Sequence, residues 1–203
     1  HASITPRHIM THTAGLTYGF EGVANAVDEI YRYRKIGNYK QSLTEFAEAL
    51  GQIPLRFDPG TSWNYSVGTD LQGRLIEALS GMPFDEYMQK VIFDPLGMVD
   101  TSFTVEALKV DRFANNYARP RGALEVFDEA SGSEYLQERT MKSGGGGLTS
   151  TLPDYMRFGQ MLANKGELDG ARVLGRKTVE YATRNHLPDG ADMESMGAGG
   201  FAE

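Results

Sequence analysis

A succession of helix start and stop signals constrains this chain more than any other feature of its sequence. Thr5 offers a hydroxyl to an orphan N–H, and Pro6 takes a first-turn position whose N–H is unpaired anyway. Ile9 fits the buried face, and Gly15 supplies a left-handed stop. Ser42-Leu43-Thr44-Glu45 is a capping box, followed at helical spacing by Phe46, Ala47 and Leu50 and closed by Gly51. After Ser66, residues Leu71, Leu75, Ile76 and Leu79 form one apolar stripe that ends at Gly81. Pro83 starts another helix carrying Phe84, Tyr87, Met88, Val91 and Ile92, and residues 94–98 read as a turn. Ser150 or Thr151 caps a helix with Pro153 in its first turn and Tyr155, Met156, Phe158, Met161 and Leu162 on its core face. Residues 176–183 form a further short helix.

Residues 23–36 also allow a helix, with Arg32, Arg34 and Lys35 on it. The plain reading is a solvated basic face; the sharper one is a lid over a pocket. Strand signals are few. Residues 101–105 and 123–127 are short β-like runs, with Pro120-Arg121-Gly122 between them, and they suggest a hairpin in an irregular excursion. Residues 166–170 make a turn, and residues 186–203 are glycine-rich and complete no element. The expectation is a mainly α chain with a few short strands, forming a single partial domain over residues 1–203.

Composition removes several function classes. The 203 residues are 40% hydrophobic and carry a net charge of -7, with no basic stripe to neutralise phosphates, which argues against nucleic acid. There is no cysteine, so disulfides, thiolate metal sites and a cysteine nucleophile are excluded. No apolar run approaches the roughly 18 residues that span a bilayer. No signal peptide is visible, and nothing assigns a compartment or an oligomeric state. The chain opens at His1-Ala2-Ser3 without an initiator methionine and reads as the middle of something longer.

The chemistry-bearing stretch is Trp63-Asn64-Tyr65-Ser66-Val67-Gly68-Thr69-Asp70, between the turn Asp58-Pro59-Gly60 and a helix. A loop-to-helix junction exposes side chains on a rigid scaffold. Tyr65 either locks the loop as a buried aromatic or acts as a general base, the latter if a neighbouring cation lowers its pKa from about 10. His8 and His12, four apart, are placed to share one helix face. The residues between them lack a metalloprotease glutamate and no third ligand is evident, so structural hydrogen bonding is expected rather than a metal. Gly144 to Gly147 precede a helix, as an anion-binding loop does. However, no Gly-Lys-Ser/Thr follows, and close backbone approach beside a cleft accounts for the glycines.

Four segments in order resemble one family. Residues 4–16, ending His12-Thr13-Ala14-Gly15-Leu16, resemble the "HTSGL" signature of the serine β-lactamase and penicillin-binding-protein superfamily. Pro59-Gly60-Thr61-Ser62-Trp63-Asn64-Tyr65-Ser66 is similar to its second active-site motif, in the form used by class C β-lactamases and family VIII carboxylesterases. Residues 93–103 are similar to its "PLGM-DT-F" segment, and residues 144–158 to its "GGGGL-ST--D--RF" segment. The resemblance implies an α/β domain with an antiparallel sheet and a mostly helical domain, with the active site between them. This chain would be the helical domain, lacking most of the sheet.

The resemblance also implies an acyl-enzyme mechanism on a small-molecule ester or acyl substrate, with no cofactor. A serine in Ser-x-x-Lys attacks the carbonyl while a lysine and the second-motif tyrosine shuttle protons. None of the serines here has a lysine three residues on, and Lys177-Thr178-Val179 is not the third motif. The nucleophile is therefore expected before His1 and the third motif after Glu203, and the chain alone is expected to be inert. Tyr65 carries over as the catalytic tyrosine, with Trp63, Ser66 and Val67 as substrate-binding residues. Val67 stands where class C β-lactamases hold a substrate amide with asparagine; a valine cannot, which favours ester over β-lactam or D-Ala-D-Ala-type peptide substrates. A catalytically inactive, ligand-binding relative is the alternative.

Overall fold

The computed structural model describes residues 3–20, 25–192 and 194–195. Helix α1 (Pro6–Met10) begins at Thr5, whose Oγ1 accepts from the His8 amide at 3.3 Å while His8 Nδ1 accepts from the Thr5 amide at 3.3 Å. Histidine thus takes the place of the usual glutamate in a capping box. The helix ends at Met10 rather than at Gly15, and His12 follows with φ +56°. His8 and His12 therefore do not share a helix face. Gly15 is left-handed for another reason: a Cβ there would lie 2.4 Å from the Phe57 carbonyl oxygen.

Helix α2 (Ala26–Tyr33) is capped by Asn25, whose Oδ1 accepts from the Val27 amide at 2.8 Å. It is shorter than residues 23–36, of which 23 and 24 lie outside the described residues. Arg32 is not on a solvated face; it donates to the carbonyls of Gly19 at 3.2 Å and Phe20 at 2.8 Å. Helix α3 (Leu43–Leu50) has the expected Ser42–Glu45 capping box, and Phe46 is fully buried.

Helix α4 (Gly68–Ser80) stops at Gly81, φ +69°. Its buried face consists of Gly68, Asp70 and Gly73. Leu71, Leu75 and Ile76 are only partly buried against the core, and Leu79 is 87% exposed, outside the expected stripe. The physical reason is close packing: a Cβ on Gly73 would meet the side chains of Leu43 and Phe84 at 3.2 Å, so small residues let α3 and the following helix approach.

The expected helix after Pro83 divides into α5 (Phe84–Met88) and a π-helical turn (Gln89–Phe93), and residues 94–98, expected as a turn, begin with a further short helix α6 (Asp94–Leu96), which Gly97 ends at φ +62°. Residues 101–105 form no strand; Ser102 makes a single bridge to Thr149. Asp154 Oδ2 instead accepts from the Asp100 amide at 2.7 Å and Thr101 Oγ1 at 2.9 Å, tying this segment to a helix start. The hairpin pairs β1 (Asn116–Ala118) with β2 (Glu125–Asp128), antiparallel.

Thr151 caps α7 (Leu152–Ala163). Tyr155 and Met156, expected in the core, are 66% and 58% exposed. The buried face instead follows Asp154, Phe158 and Met161, at the i, i+4, i+7 spacing of one helix side. Then β3 (Glu167–Leu168) and β4 (Ala171–Arg172) form a tight hairpin turning on Asp169 (φ +49°) and Gly170 (φ +82°), and α8 (Arg176–Ala182) follows. Of residues 186–203, Pro188–Gly190 form a 3₁₀ turn, and 193 and 196–203 lie outside the described residues.

Two apolar clusters organise these elements. Leu43, Phe46, Val67, Phe84 and Phe103 belong to the first, beneath α1, α3 and α4. Phe93, Leu96, Met98 and Met161 form the second, between α6 and α7. The chain is mainly α with a few short strands. Among the described residues no helix is long and apolar enough to cross a membrane.

Candidate active site

Two segments that are distant in sequence run side by side above the first core. The Arg56 amide donates to Gly15 O at 2.8 Å, Gly60 to Thr13 O at 2.8 Å, Asn64 to His12 O at 2.9 Å and Val67 to Thr17 O at 3.4 Å. This lacing brings the residues after α1 onto the stretch before α4.

The result is a ring cluster centred on Tyr65. Its ring centroid lies 5.1 Å from those of His12 and Tyr18 and 6.4 Å from those of Phe20 and Trp63. Tyr18 and Phe20 stack at 5.2 Å, and Phe20 is 46% exposed, so the cluster opens to solvent on that side. Such aromatic groups give a site a large apolar wall with polar tips.

The polar tips differ in chemistry. His12 Nδ1 lies 3.2 Å from Ser66 Oγ, and burial lowers the imidazole below its ordinary value of 6.5. His12 is thus mainly neutral near pH 7 and does not supply the cation a basic tyrosine needs. Burial, opposed by a hydrogen bond from Thr69 and reinforced by the Asp70 carboxylate, pushes the Tyr18 phenol well above 10. Tyr18 therefore remains a proton donor, with its hydroxyl 3.4 Å from Asp70 Oδ2.

Asp70 joins this cluster to the glycine run. Its Oδ1 accepts from Ser143 Oγ at 2.5 Å and from the Gly145 amide at 3.3 Å. Ser143 Oγ in turn accepts from the amides of Gly145 at 3.2 Å and Gly146 at 3.1 Å. A Cβ on Gly144 would lie 2.3 Å from Thr69 O, and one on Gly145 would lie 2.6 Å from the Tyr18 hydroxyl. Gly144 is required by close backbone approach and Gly145 by the Tyr18 hydroxyl, whereas Gly146 meets nothing within 4 Å.

Of the four site residues expected from the sequence, Trp63 and Tyr65 are half-buried members of the cluster. Ser66 and Val67 are 1% and 3% exposed. Ser66 faces His12 and accepts from the Gly68 amide at 3.3 Å, while Val67 packs in the first core. Tyr18, Phe20 and Ser143 join the site without a sequence expectation, and Asp70, within the Trp63–Asp70 stretch, joins without an expected role; two aromatic residues shortly after Gly15 are the local signal for Tyr18 and Phe20. Among the described residues, no group of three or more histidines and carboxylates is placed to hold a metal ion. Open clefts of about 550 and 610 Å³, against Asp85 and Lys142 and against Tyr39 and Arg139, are not lined by Tyr65.

The family model for β-lactamase matches residues 1–202. Lovastatin esterase from Penicillium rubens is 34% identical over 189 residues, covering 91% of this chain and 45% of that protein. Esterase EstB from Burkholderia gladioli is 29% identical over 213 residues, covering 97% and 52%. The solved structure of unliganded simvastatin synthase (LovD) from Aspergillus terreus, as a selenomethionyl derivative, aligns with a TM-score of 0.74 at 27% identity, covering 96% of this chain and 46% of that one. The chain spans about half the length of these relatives. A match over nearly its whole length, together with relatives of this fold, means that the chain belongs to the β-lactamase family.

Proposed function

We propose that this chain is the helical part of a serine hydrolase that acts on carboxylic esters through an acyl-enzyme, with Tyr65 as the proton shuttle. The observation that carries the reading is the ring cluster centred on Tyr65 at the start of α4, in a β-lactamase-family chain whose relatives include esterases and simvastatin synthase. The nucleophilic serine and its lysine lie outside these 203 residues, which contain no Ser-x-x-Lys. That lysine is the cation that holds Tyr65 as the phenolate, which takes the serine proton and becomes the phenol as the Oγ–acyl bond forms. The proton then passes to the departing alkoxide as the ester C–O bond breaks. Water, or an acceptor alcohol, releases the acyl group by the reverse route.

Trp63 and Phe20 line the acyl side, and an apolar wall of this kind suits an acyl chain. Val67 packs in the first core, so this position offers a substrate no amide-binding group, which supports the ester over the β-lactam. Buried Ser66 contributes by holding His12 beside the Tyr65 ring.

The test uses the enzyme that carries this chain, assayed with short p-nitrophenyl esters and a chromogenic cephalosporin. Ester turnover should dominate, and Tyr65→Phe should lower it about 10²–10⁴-fold. Efficient cephalosporin turnover with negligible esterase activity overturns the substrate assignment. An unchanged rate in Tyr65→Phe removes Tyr65 from the mechanism.

A further inference from the structure

A polar chain runs beneath the ring cluster, and neither the mechanism nor the core uses it. Asp28, on α2, is 1% exposed. Thr17 Oγ1 donates to its Oδ1 in a short hydrogen bond, and Arg56 Nε lies 3.7 Å from its Oδ2. Among the described residues Asp28 Oδ2 has no hydrogen-bond partner. Arg56 Nη1 donates to Asn64 Oδ1 at 2.7 Å. Asn64 Nδ2 then donates to the carbonyls of Leu16 at 2.8 Å and Tyr65 at 3.1 Å.

We propose that Asp28, Arg56 and Asn64 form a positioning chain that sets the Tyr65 main chain, and so the place of its phenol, for the reaction proposed above. The inference rests on that reading of Tyr65. Its logic is directional. A guanidinium only donates, so Arg56 forces the Asn64 amide oxygen toward itself and the amide nitrogen toward the two carbonyls. That nitrogen clamps Leu16, at the end of one laced segment, to Tyr65 in the other. Asp28 orients the guanidinium from below. As a stability device the pair is poor. The carboxylate is out of water and its ion pair is long, an arrangement that often breaks even against apolar residues. What the pair gives instead is one fixed geometry for the peptide at Tyr65. Helix α2 reaches the same site a second time, because Arg32 holds the carbonyls of Gly19 and Phe20 beside Tyr18.

The experiment separates positioning from folding. Arg56→Met strands a buried carboxylate and should lower both Tm and kcat. The double variant Asp28→Asn/Arg56→Met removes the stranded charge, so Tm should return toward wild type. A positioning chain predicts that kcat stays down by about tenfold to hundredfold with KM unchanged, the cost of a misplaced catalytic group. With 3-fluorotyrosine at position 65, the ¹⁹F resonance should shift or broaden in the double variant. A kcat that recovers along with Tm, or an unmoved ¹⁹F resonance, overturns the positioning role. Tyr65→Phe in the same assay keeps the two ideas apart. Full activity there sinks the shuttle role of Tyr65, while the ¹⁹F comparison still judges the positioning chain.

Discussion

His12 is the residue whose position is most at odds with its neighbours in sequence. It follows α1 in a left-handed conformation and is tucked under Tyr65 and Trp63. Burial lowers its pKa, so the native state binds its proton less readily than the unfolded chain does. Stability is therefore unaffected by this group above the unfolded value of about 6.5 and falls as pH drops below it, levelling off under the folded value. Denaturant titrations from neutral to acidic pH should show this slope. His12→Asn, which tolerates the left-handed backbone, should flatten it. An identical slope in the variant assigns the acid sensitivity to other groups. Under the mechanism proposed above, a neutral imidazole beside Ser66 leaves the activation of Tyr65 to a cation beyond this cluster.

Among the elements, the junction between the start of α4 and the glycine run admits the sharpest test. Gly144 backs onto Thr69 O, whereas an added Cβ on Gly146 meets no atom within 4 Å. Gly144→Ala should destabilise the chain by about 1–3 kcal/mol through overpacking. Gly146→Ala should be close to neutral or slightly stabilising, because it only restricts the unfolded chain. Equal Tm values for the two variants contradict this packing. Sequence patterns read the glycine run correctly as a site of close approach, because four small residues in a row admit few other uses. Three residues of the α4 stripe, Leu71, Leu75 and Ile76, pack against the first core as expected, while Leu79 is 87% exposed. The fully buried positions of α4 are Gly68, Asp70 and Gly73, which a stripe of leucines does not announce. Residue type alone does not reveal which side of an amphipathic helix its neighbours choose.

At the scale of the whole molecule, the exposed apolar surface matters most. Leu152, Tyr155 and Met156 stand together on the open side of α7, and Val126 and Phe127 stand out on β2. Contiguous apolar surface of this kind favours association. The isolated chain should form oligomers by light scattering at micromolar concentration, and the pair Tyr155→Glu and Met156→Lys should raise the monomer fraction. A monomeric wild-type chain counts against this. The domain boundary belongs to the same scale: we propose that residues 1–203 form a partial domain whose open faces meet the remainder of a longer hydrolase.

The sequence by itself determined what is local. Caps at Thr5, Ser42 and Thr151, stops at Gly51 and Gly81, and the Asp169-Gly170 turn all follow from backbone sterics and orphan N–H groups within a few residues. The ordered motifs likewise pointed to the family. Only the tertiary structure decided what depends on segments far apart in the chain. It placed Tyr18 and Phe20 on Tyr65, sent Asp70 to Ser143 across 73 residues, withdrew Ser66 and Val67 from the surface, and moved residues 101–105 from a hairpin to the start of α7. The reason is physical: caps and turns are satisfied by atoms already adjacent, whereas a buried carboxylate or ring takes whichever partner the packed core brings within reach.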